Sequence, residues 1–229
     1  MAIRNAGMQK PTLVYLRARG RAELIRLVCA EAGVEFAFHP VGFGTPPVDG
    51  RPTDFPALKA SGTLPFEQVP VWEEPGGFTV AQSGAIANYL ARTHGLRGKS
   101  AAEEAKIDEV LGGVDDLREE LRRLARAAPA ERAAVRAELL EKTAPRWLGY
   151  FERILRKNQG GVTFVAGDAL SVADLSLWYV LEMLRDNGFG AALAETPALA
   201  AFAERIAARP RLAAYLGSAL RPALQPLPT

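Results

Sequence analysis

Leu13-Val14-Tyr15-Leu16-Arg17-Ala18-Arg19-Gly20-Arg21 begins as an unbroken apolar run and turns basic and glycine-bearing within four residues. Thr12 to Leu16 is rich in β-formers and predicts a short buried strand. Ala18 to Gly20 reads as a loop, and Arg21 to Ala32 as a helix. Leu24, Leu27 and Val28 share one stripe of that helix, and Gly33 suits its C-cap. Val34 to Val41 then alternates, with Val34, Phe36 and Phe38 on one face, which predicts a second strand. A strand, a helix and a strand in this order make a right-handed crossover with the two strands parallel.

Working outward, Gly42 to Pro56 carries many glycines and prolines and reads as a long loop, with a short helix over Phe55 to Ala60. Pro70-Val71-Trp72 and Phe78-Thr79-Val80 flank Pro75-Gly76-Gly77, the pattern of a β-hairpin. Ser83 is positioned to cap a helix with an inner stripe of Ile86, Tyr89 and Leu90. The order strand, helix, strand, helix, strand, strand, helix is the thioredoxin-like arrangement. After His94 the strand signals vanish and Ala, Leu, Glu and Arg dominate, as in a helical bundle. One long helix is expected from Ala101 to Ala127, with Pro129 in the first turn of the next. Pro145 is expected to kink that second helix before Trp147 and Phe151. Ser171-Val172-Ala173-Asp174 spells a capping box with Leu170 and Leu175 as its hydrophobic staple. The fold class is therefore α/β plus all-α: a thioredoxin-like domain over residues 10–94, then a helical domain over 100–221. The proline-bearing tail from Pro222 to Thr229 is expected to be loosely held.

Bulk composition excludes several classes. The 229 residues suffice for one large or two small domains. The single Cys29 rules out an intrachain disulfide, so a cytoplasmic location fits. Met1 to Lys10 lacks the apolar stretch of a leader, and nowhere do eighteen apolar residues run together. With 28 basic and 26 acidic residues, charge gives no push toward nucleic acid. His39 and His94 lack any surrounding ligand pattern, so neither a metal site nor a Ser-His-Asp triad is expected. Gly98-Lys99-Ser100 imitates a phosphate loop but lacks the glycine five residues earlier, where Thr93 stands. Cys29, set among Leu27, Val28 and Ala30, reads as a buried thiol rather than a nucleophile.

Three pieces carry chemistry, and each has a plain structural alternative. Tyr15 either fills core or directs its O–H at a thiol sulfur, which favours the anion. Arg21 is the cation that could reinforce this, unless it and Arg19 are ordinary surface charges. Val69-Pro70, following Gln68, is either a proline opening a strand or a cis peptide that turns Val69's backbone N–H and C=O toward a ligand. Gln82-Ser83 is either a helix cap or, through free amides and a hydroxyl, a carboxylate site; the two uses are compatible. Together the three describe a site that binds a small acidic thiol and sharpens its sulfur.

From Thr12 to Leu216 the chain resembles the cytosolic glutathione transferases, most closely the tyrosine-type ones related to the alpha, mu, pi and sigma classes. The resemblance rests on Tyr15, Ala18-Arg19-Gly20-Arg21, Gly33-Val34-Glu35-Phe36, Gln68-Val69-Pro70-Val71, Gln82-Ser83-Gly84-Ala85-Ile86 and Gly167-Asp168-Ala169-Leu170-Ser171-Val172-Ala173-Asp174. It implies that Tyr15 donates to the glutathione thiolate, with Arg21 beside it. It implies further that Gln68, Val69 and a cis Pro70 bind the peptide part, that Gln82 and Ser83 hold the γ-glutamyl end, and that Lys59 meets the glycine carboxylate. Asp116 aligns with a carboxylate that crosses a homodimer to the γ-glutamyl amine, and Phe66 with an aromatic that plugs into the partner subunit. Asp174 aligns with a buried structural capping residue. No cofactor is implied, glutathione being a co-substrate, and the second substrate is an electrophilic, mostly apolar small molecule. Glutathione-dependent isomerisation, as in the prostaglandin D synthases of the sigma class, and a non-catalytic structural module are the alternatives. Departures from the family pattern are the long Gly42 to Pro56 segment and Leu16 in place of an aromatic. Arg122, Arg123 and Arg126, near where the second pocket opens in the family, either favour an anionic co-substrate or are solvated.

Overall fold

In the computed structural model, residues 10–228 are described. Met1 to Gln9 and Thr229 lie outside them, and so does most of the stretch read above for a leader. The chain forms two compact units. One holds the described residues up to Leu90 together with Ala219–Leu224; the other holds Ala91–Ser218 and the remaining tail.

The first unit runs β1 (Thr12–Leu16), a 3-10 turn at Gly20–Ala22, α1 (Glu23–Ala32), β2 (Ala37–Val41), α2 (Phe55–Ala60), β3 (Val71–Glu73), β4 (Thr79–Ala81) and α3 (Ser83–Thr93). The sheet order is β2-β1-β3-β4, with β1 parallel to β2 and antiparallel to β3. This is the thioredoxin-like arrangement. Pro40 is tolerated because β2 is an edge strand.

Side chains alternate across β1. Val14 sits on the face that packs with Val41, Val71, Ala81, Leu58 and Leu64. Leu13 and Tyr15 therefore face the other way, toward α1, whose Arg26 lies over the rings of Tyr15 and Phe38. The expected stripe on α1 is only part of its buried surface: every residue from Glu23 to Cys29 is buried. Gly33 ends the helix at φ 72°, the left-handed value that glycine adopts freely. Burial pushes the Cys29 thiol up to about 12, and the Glu74 carboxylate adds to the effect, so this sulfur is inert.

Two local expectations shift. Residues 34–36 precede β2, and the buried residues of that strand are His39 and Val41 rather than the phenylalanines. On α3, Ala87 and Ala91 join Ile86 and Leu90 inside, while Tyr89 is half-buried against Phe78. Asp54, not singled out above, caps α2 by accepting the Ala57 N–H and also takes the Gly44 N–H.

The second unit is helical: α4 (Ala101–Arg126), α5 (Arg132–Glu138), α6 (Ala144–Lys157), α7 (Val172–Asp186), α8 (Pro197–Ala207) and α9 (Pro210–Leu216). Ile107, Val110, Val114, Leu117, Leu121 and Leu124 recur every three or four residues and bury one stripe of α4, which packs on α7. Pro129 lies in a turn ahead of α5 rather than in its first turn. Ahead of Trp147, Leu139–Thr143 widens into a π turn and Pro145 sits at the start of α6. A proline without an N–H fits a first helical turn, where that donor has no partner. Asp174 completes the capping box of α7, accepting from Val165 N–H, Ser171 N–H and Ser171 Oγ, each at 2.8 Å. The tail is better held than expected: Pro222 O accepts from Arg19 and Leu227 N–H donates to Asn187 Oδ1. No helix among the described residues is long and apolar enough to cross a membrane.

Candidate active site

The site grows from the end of β1. Tyr15 is 6% exposed, and its Oη accepts the backbone N–H of Arg21 at 2.9 Å. The loop returns over the ring so closely that a Cβ on Gly20 would fall 2.6 Å from Oη. Gly20 has φ +41°, which favours glycine on conformational grounds as well. With the amide occupying an oxygen lone pair, the phenolic proton remains free to be donated.

Beside this loop lies a cleft of about 180 Å³, lined by Arg21, Phe66, Gln68, Val69, Pro70, Ala81, Gln82 and Ser83. Pockets that enclose a drug-sized ligand run to roughly 300–1,000 Å³. A cleft this small holds one end of a ligand. Val69–Pro70 is the cis peptide of the chain's described part. Gln68 and Gln82 are exposed, while Val69 and Ser83 are half-buried.

Glu67, which precedes Gln68, and Gln82 have left-handed backbones although neither is glycine, at φ 50° and φ 70°. Such conformations cost on the order of 1 kcal/mol or more and collect where function fixes the chain. At Gln82 the consequence is visible. Its carbonyl accepts the Ile86 N–H at 2.9 Å, so Gln82, not Ser83, holds the N-cap position of α3. Ser83, Gly84 and Ala85 then present the first-turn amides of an 11-residue helix, the positive end of its dipole. Among the described residues the Arg21 guanidinium has no carboxylate partner, so the cleft combines a free cation with free amides. That suits an anionic, hydrogen-bonding ligand end.

Of the other candidates, Phe66 belongs to the lining, whereas Tyr15, Lys59 and Asp116 are not among the residues that form it. Lys59 pairs with Glu67 at 3.2 Å and sits over the Phe55 ring; it does not line the cleft. Asp116 is exposed on α4 in the second unit. Phe66 is 62% exposed. Arg122 pairs with Glu119, Arg123 with Glu120 and Glu138, and Arg126 with Glu119, which favours the solvated reading of all three.

The sequence reading passed over Glu23 and Arg26. Arg26 is 4% exposed and donates to the carbonyls of Ala18 (2.9 Å) and Arg19 (3.4 Å), bracing the loop that carries Arg21. A charged pair three residues apart on a helix looks like surface in sequence. Its burial follows from the sheet face that α1 covers.

Residues 11–92 match the family model described as glutathione S-transferase, N-terminal domain, and residues 115–219 match glutathione S-transferase, C-terminal domain. Glutathione S-transferase alpha-2 of Rattus norvegicus is 36% identical over 218 residues, covering 94% of this chain and 92% of its own. Glutathione S-transferase A1 of Bos taurus is 37% identical over 218 residues, covering 93% and 91%. Among solved structures, a Pi-class glutathione S-transferase of Onchocerca volvulus superposes with a TM-score of 0.76 at 28% identity, covering 91% of this chain and 92% of its own.

Proposed function

Taking as premise that the chain belongs to the cytosolic glutathione S-transferase family and is a glutathione transferase, we propose that Tyr15 ionises the glutathione thiol for attack on electrophilic, mostly apolar small molecules. The observation that carries this reading is the bond from Arg21 N–H to Tyr15 Oη, which leaves the hydroxyl proton for a sulfur. A free thiol has a pKa near 8.5 and is mostly protonated at neutral pH. A donor aimed at the sulfur, with the Arg21 cation beside it, lowers that pKa and raises the fraction of nucleophile. The bound thiolate and its electrophile are then held together, so proximity adds to activation.

Gln68 and the Val69 backbone bind the peptide part, beside Pro70. Gln82, Ser83 and the α3 amides take the γ-glutamyl carboxylate, an anion at a helix N-terminus. Lys59, half-exposed and paired with Glu67 at 3.2 Å, is the residue offered to the glycine carboxylate. The working form is a homodimer, in which Phe66 docks into the other subunit and Asp116 serves the γ-glutamyl amine of the other site. Glutathione is consumed as a co-substrate, and the protein works in the cytoplasm.

Replacing Tyr15 with Phe tests the mechanism. Turnover with 1-chloro-2,4-dinitrobenzene should fall by about ten- to a hundredfold, or about 1.4–2.7 kcal/mol of transition-state stabilisation, while glutathione affinity stays near that of the parent. A Phe variant with undiminished turnover overturns the role given to Tyr15.

A further inference from the structure

We infer that Arg221, in the C-terminal segment Ala219–Leu224, is a positioning residue for the thiol-activating loop. Glu23 is completely buried at the first residue of α1, two residues after Arg21. Its Oε1 accepts from Arg221 Nε at 2.8 Å, and Arg221 is itself 8% exposed. The other oxygen, Oε2, meets Arg26 at a looser 3.5 Å. Arg221 thus sits closer than Arg26 to a carboxylate that water does not reach. A second bond ties the same segment to the same loop: Arg19 Nε donates to Pro222 O at 3.0 Å. Residues 198 and 203 positions apart in sequence therefore close over one short stretch of chain.

The consequence reaches the phenol through backbone. The Arg21 amide is held on Tyr15 Oη by where the 3-10 turn Gly20–Ala22 enters α1, and Glu23 begins that helix. Without Arg221, the buried carboxylate loses the closer of these cations and pulls harder on Arg26. Arg26 is then drawn between Glu23 and the Ala18 and Arg19 carbonyls that it braces, and the loop loses its fixed height over the ring. The amide leaves Oη, the phenol is no longer aimed, and the bound sulfur ionises less readily. Among the described residues, Arg19, Arg21, Arg26 and Glu23 are charged groups of the loop and of the helix that follows it. Arg221 joins them from the far end of the chain.

This inference rests on the assignment of Tyr15 as the thiol's proton donor, and the experiment separates the two. Ultraviolet difference absorbance of the thiolate is followed against pH with reduced glutathione bound to the full-length protein. In Arg221→Met the titration should move up by about one pH unit, a tenfold loss of thiolate on its acid side. Glu23→Gln/Arg221→Met removes the charge that would draw Arg26 off the Ala18 and Arg19 carbonyls, so its titration should lie close to the parent's. A parent-like titration in Arg221→Met, or a double variant displaced by a full unit, overturns the role of Arg221. Tyr15→Phe is run alongside. If it also titrates like the parent, the assignment of Tyr15 fails first; if it shifts and Arg221→Met does not, only the positioning role falls.

Discussion

At the residue scale, the closest approach in the site is between a missing atom and a hydroxyl. Gly20 lacks the Cβ that would stand 2.6 Å from Tyr15 Oη, and its φ of +41° is one that side chains disfavour. Gly20→Ala must therefore lift the loop or turn the ring, in addition to a backbone cost of about 1–3 kcal/mol. Conjugating activity is expected to fall at least as far as in Tyr15→Phe. The two changes should also couple. Removing Oη relieves the contact, so urea unfolding should show Gly20→Ala to be less destabilising when combined with Tyr15→Phe than alone, by about 0.5–3 kcal/mol. Strict additivity would mean that the loop does not bear on the hydroxyl. Individual residues also show where sequence reading stops. Tyr15, Gln68, Val69 and Gln82 stand out because phenol, amide and X-Pro chemistry is written in residue type. Glu23 and Arg26 do not, because i,i+3 charge pairs are ordinary on exposed helices and only the covered sheet face makes this one a buried brace.

At the scale of elements, the α7 start is a second place where a buried charge is held by geometry. Burial pushes the Asp174 carboxyl up to about 6, against the pull of its three donors, which favour the anion. The sign of the pH effect follows. A folded-state pKa above the unfolded value of 3.8 means that the stabilising contribution is present in full below pH 3.8 and is lost as pH rises through 6. The loss amounts to about 3 kcal/mol at most. Asp174→Asn cannot ionise, so the gap in stability between parent and variant should be wider near pH 4 than near pH 7, measured by urea midpoints at both. A gap that stays constant, or that widens toward pH 7, would show that the three hydrogen bonds outweigh burial. The capping box itself was legible as Ser171 to Asp174 because caps are local. So was the extent of α4, expected from Ala101 to Ala127 and found as Ala101–Arg126. The π turn at Leu139–Thr143 was not: Pro145 announces a break in the hydrogen-bond ladder, yet its neighbours choose between a kink and a wider turn through packing.

At the scale of the whole molecule, legibility depends on how far apart in sequence the partners lie. The crossover β1-α1-β2 is contiguous and could be read from one short stretch of chain. The segment Ala219–Leu224 could not, since nothing in Leu220-Arg221-Pro222 signals that its arginine meets Glu23 or that its proline carbonyl meets Arg19. Assembly is more distant still. Phe66, in the cleft lining, spends 62% of its surface in water, and Phe43 is exposed at 72%. Single exposed apolar residues are common, so exposure alone does not make an interface. The proposed homodimer gives Phe66 a specific task, and a symmetric pair would use it twice. Burying each ring contributes about 1.5–3 kcal/mol, so two copies contribute roughly 3–6 kcal/mol. Phe66→Ala should then raise the dimer dissociation constant by about a hundredfold or more. Sedimentation velocity over a dilution series reads this directly, with Phe43→Ala as the comparison that should leave the constant in place. An unchanged constant in Phe66→Ala would take Phe66 out of the interface, and a monomer at all concentrations in the parent would remove the dimer, along with the role given to Asp116.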